Sequence, residues 1–190
     1  NGISAGTAAK YVLCNMSGWK LGQPNIHIWG NAASINNWRR WSSKIKNALL
    51  RQYNIPSIWI DDPIIIGLVA KMIEKIDPVY IDGYPSAIFT LAQYFLENKR
   101  LLKNIRLVIS TAENLEDHQR ELIEKAFAPT ADLYGSGEVL GIAARPAGDD
   151  RYYIFEPHVI VETIESGIAG MMDIVVTDLD NYVMPIIRYK

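Results

Sequence analysis

The sequence predicts an α/β fold in which a mostly parallel sheet is covered by helices and is followed by a smaller β-rich subdomain. Short apolar segments alternate with amphipathic helical segments between Asn25 and Tyr134, a spacing typical of parallel sheets. Beyond Gly148, segments rich in β-branched and aromatic residues are separated only by turns, which favours antiparallel pairing. We therefore expect an α/β core over residues 1–148 and an incomplete β-rich subdomain over residues 149–190.

The composition is that of a globular protein. Hydrophobic residues make up 49% of the 190 positions and charged residues 21%, which excludes extensive disorder. A net charge of −2 provides no field that would attract nucleic acid or an anionic membrane. The single cysteine, Cys14, excludes an internal disulfide. With neither a membrane-spanning apolar run nor a signal peptide, we expect a cytoplasmic protein, and nothing excludes a homodimer.

The first half of the chain is predicted to contain two strands and two helices. Residues 25–30 alternate like a strand, and the apolar residues of segment 34–54 recur at helical spacing as a core-facing stripe. Residues 57–60 are a short apolar strand. Asp61, Asp62 and Pro63 then begin a helix that runs to about Ile76. His27 in the first strand is interpreted as a packed histidine, since no second metal ligand lies at a suitable spacing.

The second half continues the alternation and then changes character. Strands are predicted at residues 79–82, 104–109 and 131–134, with helices at 87–97 and 115–127 between them. The last of these helices is expected to bury Ile123, Ala126 and Phe127. Further strands are predicted at residues 152–155, 158–164, 173–177 and 186–189.

Three turns that follow predicted parallel strands combine small residues with hydroxyls and carboxylates. Ligands of open α/β sheets bind beyond the carboxyl ends of the strands. Glycine lets backbone N–H groups approach an anion, Ser136 can donate to a phosphate oxygen, and Glu138 is a hard oxygen ligand suited to Mg²⁺. The alternative is a plain turn with an exposed acid. The turns are Gly83-Tyr84-Pro85-Ser86, Ser110-Thr111-Ala112-Glu113 and Tyr134-Gly135-Ser136-Gly137-Glu138.

Residues 1–10 form a small, hydroxyl-rich segment that ends in a lysine. As a loop, it could surround phosphates with backbone donors, Ser4, Thr7 and Lys10, although it does not match the P-loop pattern. A disordered end is the alternative. The same segment fits G-x-S-x-G, so a serine hydrolase with Ser4 as nucleophile and His118 or His158 as base is a rival hypothesis, for which a preceding strand is missing.

Together, the three turns and the end of the chain resemble the AMP-forming acyl-CoA synthetase superfamily, specifically its phenylacetate-CoA ligase branch with the CapK-like proteins. The C-terminal part of the resemblance is carried by Val176-Thr177-Asp178-Leu179 and Pro185-Ile186-Ile187-Arg188-Tyr189. The resemblance implies an enzyme that uses ATP and Mg²⁺ to activate a carboxylic acid, for which an aromatic acid would suit the branch, as acyl-AMP. It further implies transfer of the acyl group to CoA or another acceptor.

The resemblance also implies roles for individual residues. The turn from Ser110 to Glu113, including Thr111 and Ala112, would contact adenine and ribose. Tyr134, Gly135 and Ser136 would contact the nucleotide and the reacting acyl phosphate, and Glu138 would hold Mg²⁺. The phosphate loop would comprise Ser4, Gly6, Thr7 and Lys10, and the acyl pocket would include Tyr84, Pro85 and Ser86.

The sequence also departs from the family pattern. Ala5 and Ala8 stand where the phosphate loop usually has a hydroxyl and a proline. The family's ribose-binding aspartate and its C-terminal domain with a catalytic lysine would follow Lys190. We therefore expect a core fragment of low activity, with a non-catalytic nucleotide-binding or scaffold module as the alternative.

Overall fold

The computed structural model describes residues 2–30, 41–182 and 187–190, with side chains from Thr7 onward. The helices are α1 (Gly2–Met16), α2 (Trp41–Leu49), α3 (Ile66–Ile76), α4 (Pro85–Glu97) and α5 (Asp117–Ala126). The first strands are β1 (Asn25–Ile28), β2 (Gln52–Ile55), β3 (Tyr80–Gly83), β4 (Leu107–Thr111) and β5 (Thr130–Tyr134). They are followed by β6 (Ala143–Arg145), β7 (Tyr153–Ile154), β8 (Val159–Glu165), β9 (Met172–Asp178) and β10 (Arg188–Tyr189).

The larger sheet has seven strands in the order β2-β1-β3-β4-β5-β6-β7. Strands β1 to β5 pair in parallel, and β6 and β7 add an antiparallel edge. Strands β8, β9 and β10 form a second, antiparallel sheet. The predicted fold class, a mostly parallel sheet with helices and a smaller β-rich part, is confirmed.

Helices cover the larger sheet on both faces. On one face, α3, α4 and α5 pack over a core that includes the fully buried Phe95, Ile81 and Ile123. On the other face, α1 buries Leu13 and Cys14 against Tyr80 and other strand residues. Burial from both sides explains the consecutive apolar residues Leu107-Val108-Ile109 that begin β4.

Local sequence signals explain the ends of two helices. Helix α4 begins with Pro85 in its first turn, where the missing N–H would have no helical partner. Helix α5 begins with a capping box, in which the side chains of Glu116 and Gln119 each accept a backbone N–H. Ile123 and Ala126 of α5 are buried as predicted, whereas Phe127 is half-buried.

The predicted loop at residues 1–10 is wrong, because helix α1 runs through it from Gly2. Three alanines favour a helix, and residues 1–10 contain no proline that would interrupt it. The side chains of Ala9, Leu13 and Cys14 lie on one face of this helix and are buried. Ser4 lies inside this helix and not on the turn from a strand to a helix that carries a hydrolase nucleophile.

The predicted helix over residues 34–54 is also wrong at its end. Helix α2 ends at Leu49, and residues 52–55 form β2, paired in parallel with β1. Arg51 has a positive φ of 48°, which breaks the helix before the strand. The predicted core stripe is exposed at Trp41 and Leu49, and residues 34–40 lie outside the described part. Segment 57–60, predicted as a strand, begins with a short 3₁₀ helix instead.

The change from one sheet to the other lies between Ile154 and Val159. Strand β7 still belongs to the larger sheet, a few residues beyond the predicted division at 148. The division into domains stays a prediction. Among the described helices, none combines the length and the apolar character that crossing a bilayer requires.

Candidate functional site

A cavity of about 540 Å³ lies over the α1 face of the larger sheet and extends to the carboxyl ends of β1, β4 and β5. Strand β1 is flanked by β2 on one side and β3 on the other, so the chain order reverses there. Such switch points are where open α/β sheets bind ligands. Its lining residues are Thr7, Lys10, Tyr11, His27, Trp29, Lys46, Leu50, Gln52, Tyr80, Asp82, Thr111, Ala112, Leu133, Gly135, Ser136, Gly137, Leu140 and Gly141.

A buried carboxylate with a lysine and a histidine as partners lies in the wall of this cavity. Asp82 on β3 forms ion pairs with Lys10 Nζ at 2.8 Å and with His27 Nδ1 at 2.5 Å. His27 and Asp82 are direct neighbours across β1 and β3, while Lys10 reaches them from α1. Burial would raise the pKa of Asp82, but the charges of His27 and Lys10 and their hydrogen bonds lower it to about 2.

Aromatic rings continue from this group along the cavity. The ring of Trp29 lies 5.5 Å from that of His27 and 4.5 Å from that of Tyr84, nearly parallel to both. Tyr11 and Tyr80 line the cavity from α1 and β3. Burial raises the pKa of Tyr80 well above its usual range, so this phenol stays protonated. The arrangement provides flat apolar surfaces beside a charged group.

The turn after β4 contributes both lining residues and a strained backbone. Thr111 and Ala112 line the cavity, and Ala112 adopts a left-handed φ of 69°. Few non-glycine residues have a positive φ, and such strain is concentrated at functional sites. The Oε2 atom of Glu113 accepts the backbone N–H of Ser86 at 3.2 Å, which ties this turn to the one after β3.

The turn after β5 is held by its own hydrogen bonds. The N–H of Ser136 donates to the carbonyl of Val139 at 2.8 Å, and the N–H of Val139 donates to Ser136 Oγ at 3.1 Å. A Cβ on Gly135 would lie 2.9 Å from the nitrogen of Gly141, so this close approach requires glycine. Gly135 and Ser136 are thereby fixed in the cavity wall.

Comparison with known proteins shows what this arrangement is similar to. No family model matches the chain. Protein CapK of Staphylococcus aureus is 32% identical over 124 residues, which cover 63% of this chain and 27% of that protein. A 2-hydroxyisobutyryl-CoA ligase in complex with 2-HIB-AMP and CoA superposes with a TM-score of 0.64 at 17% identity, over 93% of this chain and 41% of that chain. The resemblance to the adenylate-forming ligases is confirmed.

A second solved structure shares this fold. The anthranilate CoA ligase AuaEII, in complex with anthranoyl-AMP, superposes with a TM-score of 0.63 at 12% identity, over 92% of this chain and 35% of that chain. This chain thus spans roughly two fifths of the 2-hydroxyisobutyryl-CoA ligase and about a quarter of CapK.

In this fold, part of the predicted site comes together. The cavity wall contains six of the predicted residues: Thr7, Lys10, Thr111, Ala112, Gly135 and Ser136. Tyr84 lies next to the cavity through its stacking on Trp29. For Ser4 and Gly6 only the helical backbone is described. The ligand roles of all these residues stay predictions.

Other predicted residues lie away from the cavity wall. Glu138 is exposed and directly follows Gly137, which does line the cavity. The hydroxyl of Ser110 is buried within the sheet, where it donates to Asp132 Oδ1 at 2.5 Å. Tyr152 also donates to Asp132, and burial together with this bond raises the pKa of Tyr152 to about 12. The described lining does not include Pro85, Ser86, Glu113 or Tyr134.

Sequence reasoning missed the pair formed by His27 and Asp82. The sequence predicts a packed histidine at position 27, and it places Asp82 in a strand without indicating a partner for it. Each is the third residue of its strand, so parallel pairing of β1 with β3 places them side by side. The order of the strands, which no local pattern reveals, was the missing signal.

Proposed function

We propose that this chain forms the nucleotide and acyl site of an AMP-forming ligase. Such an enzyme would activate a carboxylic acid as acyl-AMP and transfer the acyl group to CoA or another acceptor. The observation that carries the proposal is the cavity at the β1–β3 switch point, which collects Thr111, Ala112, Gly135 and Ser136 from two separate turns. Its volume of about 540 Å³ lies within the range of small-molecule sites.

The polar groups of the cavity suit an anion. Lys10 and Lys46 both line it, and Lys46 makes no ion pair with another described residue. The backbone of the Gly135-Ser136-Gly137 turn lies beside them, and glycine permits close approach of N–H groups to a phosphate. Lys10 is already paired with Asp82, so Lys46 and the turn are our candidates for the phosphate contacts.

Glu138 is the residue we propose to hold Mg²⁺. It is an exposed carboxylate on the same turn as Ser136, which suits a hard cation that keeps several of its waters. Bound there, the ion would neutralise phosphate charge so that two anions can be held together. The residues of the chain would position the reactants, and no protein nucleophile is required.

The aromatic stack favours a planar acid as the acyl substrate. Trp29 and Tyr11 line the cavity and Tyr84 stacks on Trp29, so aromatic rings border the space that an aromatic acid would occupy. The structural neighbour AuaEII, a different protein, binds anthranoyl-AMP, which contains such an aromatic acid. The aromatic acid, the acceptor, the cytoplasmic location and a homodimer all stay predictions for this chain.

The proposal predicts ATP–pyrophosphate exchange that depends on a carboxylic acid. The full-length protein is tested with a panel of aromatic and aliphatic acids, with and without CoA. We expect Glu138→Gln to lower the exchange rate at least about tenfold, because loss of a metal contact typically costs that much. Circular dichroism should show an unchanged fold, since the side chain is exposed.

A matched control is Glu165→Gln, which removes an exposed carboxylate on β8 of the other sheet. Its exchange rate should equal that of the wild type. Equal exchange by Glu138→Gln and the wild type would contradict the role of Glu138. Binding of Mg·ATP without exchange in the presence of any of the acids would favour the non-catalytic module. The observation that motivates this alternative is the pairing of Lys10 with Asp82.

A further inference from the structure

A histidine and two aspartates converge at the start of the second sheet, outside the cavity. His158 precedes β8, Asp178 ends β9, and Asp180 lies in the turn that follows. One donor atom from each residue lies within 4.8 Å of the other two. His158 and Asp178 are buried, whereas the Asp180 side chain is 38% exposed, which leaves an approach from solvent.

The hydrogen bonds of His158 decide which ring nitrogen carries a proton. Its Nε2 atom lies 3.0 Å from the carbonyl oxygen of Leu140, which can only accept, so Nε2 carries the hydrogen. The Nδ1 atom then presents a lone pair when the ring is neutral. Asp180 Oδ2 lies 2.9 Å from Nδ1, which is a hydrogen-bond distance, and Asp178 Oδ1 lies 3.7 Å from it, so either a proton or a metal ion on Nδ1 would hold the two carboxylates here.

The charge balance favours a divalent ion over a proton. Among the described residues, neither carboxylate forms an ion pair with a lysine or arginine, so a protonated ring would neutralise only one of the two carboxylates. Asp178 Oδ1 also accepts the backbone N–H of Asp180 at 2.8 Å, while Asp180 itself reaches solvent. A divalent ion would neutralise both. Ligands about 2.1 Å from a tetrahedral ion lie roughly 3.4 Å apart, a separation that falls between the two distances from Nδ1.

We propose that His158, Asp178 and Asp180 bind a zinc ion, with water completing the coordination. Zinc accepts nitrogen and carboxylate ligands in this combination. A ligating histidine usually donates its other ring N–H to a carbonyl or carboxylate, as His158 does to Leu140. Because Leu140 belongs to the turn that lines the cavity, the ion would also hold that turn. The inference of a zinc site does not depend on whether the proposed ligase activity is correct.

Titration calorimetry with ZnCl₂ alone tests this site on the full-length protein. We expect one equivalent to bind and the melting temperature to rise with zinc. Asp180→Asn keeps the shape of a partly exposed side chain and should weaken binding at least about tenfold, as should His158→Gln. Mg²⁺ should bind far more weakly, since it prefers oxygen ligands in octahedral geometry.

The control is His118→Gln, which removes an exposed histidine of α5 and should bind zinc like the wild type. The proposal would be overturned by the absence of saturable zinc binding. It would equally be overturned by wild-type zinc affinity in Asp180→Asn and His158→Gln, or by Mg²⁺ binding as tightly as Zn²⁺.

Discussion

Replacing Gly83 by alanine is expected to destabilise the fold by more than about 3 kcal/mol, which would leave little or no folded protein. Gly83 ends β3 with a φ of 155°, a conformation that side chains rarely adopt. A Cβ there would lie 2.1 Å from the carbonyl oxygen of Ile28 and 2.9 Å from its Cβ. The contact is with the backbone of β1, which cannot move without breaking its pairing with β3.

Urea unfolding followed by circular dichroism measures this loss. Gly137→Ala is the matched control, because nothing lies within 4 Å of its added Cβ and its φ is not positive. We expect that control to change the free energy of unfolding by less than about 1 kcal/mol. A Gly83→Ala protein as stable as Gly137→Ala would show that β1 and β3 do not pack as closely as described.

Asp82→Asn is expected to cost about 2 to 3 kcal/mol of stability at neutral pH. The carboxylate is 2% exposed and balances Lys10 and His27, so its loss leaves Lys10 with an uncompensated charge in the wall of the cavity. The control is Asp173→Asn, which breaks an exposed ion pair with Lys190. Such a surface pair contributes at most about 1 kcal/mol.

The same carboxylate should make stability depend on pH in a defined window. Its pKa falls from an ordinary value of 3.8 to about 2 in the folded chain, so the folded state favours the ionised form. The resulting stabilisation is fully present above about pH 4 and is lost as the pH falls toward 2, by about 2 kcal/mol. Urea unfolding at several pH values should show this loss in the wild type and not in Asp82→Asn. An equal slope in both proteins would contradict the ion pairs.

The parallel part of the fold could be predicted because apolar residues recur at different spacings in its strands and helices. Residues typical of helix ends also mark where its helices begin. The proline at position 85 and the acidic cap before α5 are such signals. Strand β2 could not be predicted, since its polar sequence becomes a strand only through pairing with β1. Helix α1 was missed because small residues permit both a loop and a helix, and packing of Leu13 and Cys14 decides between them.

The sequence predicts those parts of the candidate site that lie in turns directly after a parallel strand. Thr111, Ala112, Gly135 and Ser136 follow from that rule and do line the cavity. Ser110 belongs to the same turn motif, but successive side chains of a strand lie on opposite faces of the sheet. The side chain of Ser110 therefore lies on the face opposite to that of Thr111, where it donates to Asp132. The pairing of His27 with Asp82 depends on strand order and could not be read locally.

Photolabelling of the full-length protein with 2-azido-ATP, followed by mass spectrometry of its peptides, tests the nucleotide site most directly. The account predicts that label falls on the turns containing Thr111 and Ser136 and that excess ATP prevents it. The apolar groove between α1 and β7, lined by Val12 and Ile154, serves as an internal reference. Label confined to that groove, or label that ATP does not displace, would contradict a nucleotide site at the β1–β3 switch point.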